Sequence, residues 1–189
     1  LVMKPVNPTL IVLLVGVIAL LAYVKISNPH QEYSTTDYWQ TATVEDVYKL
    51  PEEALEPRNQ NGPVLMWASS TTNDPMVIAA LISRGVDVNE RDIDFKGTAL
   101  SAAAYQNPNA AIIDELVKHG AKVNIVLGML KKSPLILAAE ANDAAVTERL
   151  LFHGADPQYK DLFESTAYIQ AVRSKNAEVV AIYEKLEQL

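Results

Sequence analysis

The sequence predicts an all-α repeat solenoid, pairs of short helices joined by hairpin turns, with one N-terminal transmembrane helix in front. Three observations carry this. Leu65, Leu100 and Leu135 recur at intervals of 35 residues. Gly85, Gly120 and Gly154 follow at 35 and 34. Asn73, Asn107, Asn142 and Asn176 keep step at 34, 35 and 34. A fixed period of this length marks supersecondary units that bury their apolar faces only against one another.

Residues 1–27 come first. Leu10 to Val24 is a run of 15 residues without charge or amide, its one hydroxyl that of Tyr23, and with Pro5–Thr9 it reaches 20. About 20 mostly apolar residues cross a hydrocarbon core, so the segment, residues 5–24, is expected to span as an anchor, with the chain opening at Met3. A cleaved signal peptide shares this length, but Ala22 lacks a small residue two positions earlier. Lys4 and the terminal amine precede the run and Lys25 follows it, so the short tail is expected inside and the body outside. The expected location is a bacterial inner membrane, single-pass, with the C-terminal domain periplasmic. Residues 28–42 read as a polar linker with Tyr38 and Trp39 among its few bulky residues.

The repeating body, 43–189, starts with a half-unit at 43–61, in which Thr43 to Leu50 resembles the second helix of a unit. Units follow at 62–96, 97–131 and 132–164, and a closing unit at 165–189. Thr98, Ser133 and Thr166 stand where a hydroxyl caps the first helix of a unit, and Pro134 suits the first helical position. The asparagines separate two apolar stretches, where a turn with positive φ favours Gly or Asn. Leu81-Ile82, Leu116-Val117 and Leu150-Leu151 give the second helices an inward face. The glycines then end those helices in a left-handed cap, with His119 and His153 just before it, where positive charge suits the helix dipole. Ala68, Ala103, Ala104, Ala138, Ala139 and Ala171 are small enough to let helix layers approach.

The motifs Gly97-Thr98-Ala99-Leu100-Ser101-Ala102-Ala103 and His119-Gly120-Ala121-Lys122-Val123-Asn124, with their counterparts one period away, resemble the ankyrin repeat. The likeness covers about residues 43–187. It departs from the family signature at the histidine position, which holds Met66, Ser101, Ile136 and Ile169. The resemblance implies helix-turn-helix units with hairpin fingers, and a concave surface of fingers and first helices that binds protein.

Composition narrows the function. The chain carries a formal charge of −7. Lys4 and Lys25 are the only charges before residue 29, so the rest holds 14 bases against 23 acids, or −9. Such an acidic body is unsuited to general nucleic-acid binding. With no cysteine there is no disulfide, thiolate metal site or cysteine nucleophile. No nucleophile elbow, phosphate loop or zinc helix is present, so no enzyme, metal or cofactor is expected. The fingers are apolar instead, and exposed apolar clusters mark contact surfaces. Expected contacts are Ile93 and Phe95 in the first finger, Ile125, Val126, Leu127, Met129 and Leu130 in the second, and Tyr159, Leu162 and Phe163 in the third. Tyr105 and Gln106 are expected to face the same concavity. The expected role is a module for one protein partner, an immunity or inhibitor protein that neutralises a toxin. The alternative is an accessory scaffold for an envelope or oxidative-defence enzyme.

Overall fold

The computed structural model describes residues 31–56, 63–94, 96–141 and 143–186. The chain divides into two compact units, 1–32 and 33–189, and the helices below belong to the second. They are α1 (Thr36–Thr41), α2 (Val44–Lys49), α3 (Glu52–Leu55), α4 (Val64–Thr71), α5 (Pro75–Ser83), α6 (Ala99–Gln106), α7 (Ala110–Lys118), α8 (Pro134–Ala141), α9 (Ala144–Phe152), α10 (Ala167–Arg173) and α11 (Ala177–Leu186). Among the described residues there is no strand, only an isolated antiparallel bridge between Leu127 and Lys132.

Helices this short are marginal alone; packing holds them. The first helices stack in the order α1, α4, α6, α8, α10, and the second helices in the order α2, α5, α7, α9, α11. Leu65, Leu100 and Leu135 are each 1% exposed, and Ala68, Ala103, Ala138 and Ala171 are fully buried. The alanines therefore sit where neighbouring layers meet, as their size requires.

Local chemistry sets the helix ends. Thr98 caps α6 in a reciprocal box with Ser101, and the Thr166 hydroxyl accepts from the Ile169 amide. Ser133 accepts from the Ile136 amide at 3.3 Å. Asp74, Asn109 and Asp143 cap the second helices through their side-chain oxygens. Those helices end as expected, with Gly85, Gly120 and Gly154 at φ of 93°, 91° and 82°. The residue after each glycine bonds back to the last inward leucine, as in Ala121 N–H to Leu116 O at 3.0 Å.

The asparagines do something other than expected. Asn107 is extended, at φ −104°, and 3% exposed. Its Nδ2 donates to the carbonyls of Ser69 and Thr72 in the preceding unit at 2.9 and 2.8 Å. Asn142 lies outside the described residues.

Two further expectations change. Residues 28–42, expected as linker, contain helix α1, and Trp39 within it is fully buried with its Nε1–H donated to Tyr33 O at 2.7 Å. The buried indole, the half-buried Tyr38 and a bond from the Thr71 hydroxyl to Thr36 O together seat this polar-rich helix. The expected single-pass membrane location is also corrected: among the described residues, no helix is long and apolar enough to cross a membrane. The apolar run 10–24 lies outside the described residues.

Candidate interaction site

Between paired helices the chain makes three hairpin fingers, each turned back by a residue at positive φ: Lys96 at 56°, Lys131 at 53° and Glu164 at 56°. In the first and third, a buried aspartate folds the turn around itself. Asp92 accepts from the Gly97 amide, and Asp161 accepts from the Phe163 and Ser165 amides at 2.8 and 3.0 Å. The second finger has Leu127 at this register and closes by the Leu127 N–H to Lys132 O bond, 2.9 Å long. Its tip is tied to the third finger: Leu162 N–H reaches Leu130 O at 3.0 Å, and the Tyr159 hydroxyl donates to Lys131 O at 2.8 Å.

The first two fingers and the first helices α4, α6 and α8 enclose a cleft of about 970 Å³. Met66, Trp67, Ile93, Tyr105, Leu127, Met129, Leu130 and Leu137 give it an apolar wall. Ser70, Ser101, Gln106, Asp92, Asp94 and Lys132 add polar groups. Lys132 Nζ donates to both Glu140 carboxylate oxygens at 2.6 and 2.7 Å. The two side chains are 20% and 21% exposed, so Lys132, which lines the cleft, is held by a half-buried partner outside the lining.

Of the residues expected at the site, the structure brings Ile93, Tyr105, Gln106, Leu127, Met129 and Leu130 together in the cleft. Met129 is 90% exposed and Ile93 71%. Leu127 shows only one edge, at 7% exposure. Ile125 is also 7% exposed and does not line the cleft. Val126 is exposed but outside the cleft lining, as are Leu162 and Phe163 on the third finger, and Tyr159 is half-buried. Phe95 lies outside the described residues. Met66, Trp67, Asp92, Asp94 and Lys132 were missed. The repeat register would have found the first two: Met66 and Ser101 are one period apart, as are Trp67, Ala102 and Leu137, and all five line the cleft.

The electrostatics near the fingers are local. Burial pushes the Glu90 carboxyl up to about 6, with the Asp87 charge adding to it. Burial likewise raises the Tyr159 hydroxyl, helped by Asp161. On the second helices, Asp114 loses solvation but gains hydrogen bonds from His153 and Arg149, which hold its carboxyl below the usual carboxylate range. The His153 contact is 2.7 Å and the Arg149 contacts 2.8 and 2.6 Å. Among the described residues no group of three or more potential ligands is placed to hold a metal ion. The cleft offers apolar surface, alcohols and carboxylates: equipment for binding.

Comparison with known proteins agrees with this geometry. A family model for ankyrin repeats, in three copies, matches residues 65–161. Zygote-specific protein 3 of Chlamydomonas reinhardtii is 32% identical over 124 residues, covering 66% of this chain and 31% of that protein. The chain thus spans about a third of the length of that relative.

Proposed function

Since the chain belongs to the ankyrin-repeat family, whose repeats suggest protein–protein interaction, we propose that residues 33–189 form a binding module, without catalysis of their own, that grips one protein partner in the cleft. The observation that carries this reading is an apolar cleft in which Ile93, Tyr105, Met129 and Leu130 are open to solvent, Met129 above all. Exposed, contiguous apolar surface framed by polar groups is what interface cores are made of. A few central anchors typically dominate such interfaces.

The test places a photo-crosslinking amino acid at position 129 or at position 178 of the full chain, in its native cells. Glu178 is an exposed residue of α11, outside the cleft lining. Cross-linking to a defined protein from 129 and not from 178 is expected. Ile93→Ser should then weaken capture at least tenfold with an unchanged circular dichroism spectrum. Equal capture from both positions would overturn the assignment.

A further inference from the structure

We propose that the end face of the last helix pair, α10–α11, binds the same face of a second copy of this chain across a two-fold axis. The inference stands on a different surface from the cleft and does not rest on it. The first helices of successive units open just after Pro63, Thr98, Ser133 and Thr166. Counted from there, Tyr168 takes the place held by Leu65, Leu100 and Leu135, and Val172 that of Ser69, Ala104 and Ala139. Those six residues are all buried, none more than 2% exposed. Tyr168 is 37% exposed and Val172 50%. The second helices repeat the pattern from their caps Asp74, Asn109, Asp143 and Asn176. Ile78, Ile113 and Thr147 are fully buried, whereas Val180 at the same place is only half-buried.

The layer beneath is not what differs. Helix α8 packs against α10 as α6 does against α8, and α9 against α11 as α7 against α9. The layer above differs: among the described residues no further helix pair follows α10–α11. A closing unit needs a polar outer face to stay soluble, yet this one places a tyrosine and two valines there. The interface already repeated inside the body is one helix pair seated on another, so the counterpart that fits is a helix-pair face with open apolar positions. Each copy carries one. The opposite end does not qualify, since the exposed residues of α1 and α2 are Asp37, Gln40, Thr41, Glu45, Tyr48 and Lys49, all but one of them strongly polar.

Charge selects the same arrangement. Residues 165–186 hold three bases, Arg173, Lys175 and Lys185, and two acids, Glu178 and Glu184, all exposed. That end is +1, which leaves −8 for the rest of a chain at −7. Two acidic copies repel each other, and least so when the near-neutral ends meet with the acidic bodies pointing apart. Exposed charges add little affinity of their own, so the apolar residues supply it. Three such side chains on a face two helices wide make a weak, reversible pair, not an obligate dimer.

The chain has no cysteine, so single cysteines report which surfaces meet. Full-length Val172→Cys is treated with a short bis-maleimide over a dilution series, beside Gln40→Cys at the other end of the body. Position 172 is expected to give cross-linked dimer at least tenfold above position 40, falling on dilution and with no larger species. Adding Tyr168→Glu to Val172→Cys should cut that yield at least tenfold with an unchanged circular dichroism spectrum. Equal yields from 172 and 40 overturn the proposal by placing the association elsewhere in the chain. Preferential 172-to-40 products from a mixture of the two variants overturn it in favour of head-to-tail stacking. Absence of dimer from 172 at submillimolar concentration overturns it outright.

Discussion

Asn107 shows how much one side chain holds. Its amide closes two carbonyls of the neighbouring unit while its Oδ1 accepts from the Asn109 amide at 2.9 Å. Asn107→Ala would strand Ser69 O and Thr72 O beside a buried site. An orphaned buried group costs about 1–3 kcal/mol, so the urea midpoint should fall accordingly; Asn107→Asp should do no better, since a carboxylate cannot donate. Glu90 acts in the opposite sense. Its folded-state carboxyl, near 6 against an ordinary 4.5, binds its proton more tightly than the unfolded chain does. Its contribution to stability is therefore full below about pH 4.5 and is lost as pH rises through about 6. Glu90→Gln should raise the urea midpoint at pH 7.5 and leave it unchanged at pH 4. Parallel pH profiles for the two proteins would refute this. The sequence exposed the period at Asn107 but misjudged the asparagines. A left-handed turn and an inter-unit hydrogen bond favour the same residue, and only the backbone angle separates them.

At the scale of elements, the glycines fall into two kinds. Gly120, at φ +91°, has open space where a Cβ would go, so Gly120→Ala pays only in backbone strain, about 1–2 kcal/mol. Gly97 has no such dihedral, but a Cβ there would meet Asp92 Oδ1 at 3.1 Å and Ser101 Oγ at 3.4 Å. Gly97→Ala should therefore loosen the first finger and weaken partner capture more than it lowers the melting temperature, whereas Gly120→Ala should do the reverse. Measuring both quantities for both variants checks the distinction. The same finger logic explains why the sequence placed Leu127 on the surface. Apolar character argued for contact, yet the register it shares with Asp92 and Asp161 points inward. Helix α1 was illegible for another reason: six polar-rich residues carry no periodicity, and its anchors, Trp39 and the half-buried Tyr38, are recognisable only once α4 is there to receive them.

For the repeat body as a whole, stability is a sum over unit interfaces. Ala138→Leu, at a fully buried position between layers, should overpack one interface by about 1–3 kcal/mol. Urea melts followed by circular dichroism would show it as a lowered midpoint; an unchanged midpoint would mean that Ala138 faces no neighbour. The turns between units add a second kind of joint. Asn89 donates to Gly120 O and accepts from the Lys122 amide, both at 2.9 Å. Asn124 repeats this one unit on, with Gly154 O and the Asp156 amide at 2.9 Å each. At the next such position stands Gln158; its backbone amide bonds to Asp156 just as that of Asn89 bonds to Asp87, but its side chain makes no hydrogen bond to a neighbouring unit among the described residues. The Asn176 amide nitrogen is likewise unpartnered where Asn107 reaches back. Under tension the body therefore behaves as a chain of rivets whose last ones are missing. Stretched between its ends in an optical trap, it should release the α10–α11 pair at the lowest force, and the riveted units should yield together afterwards.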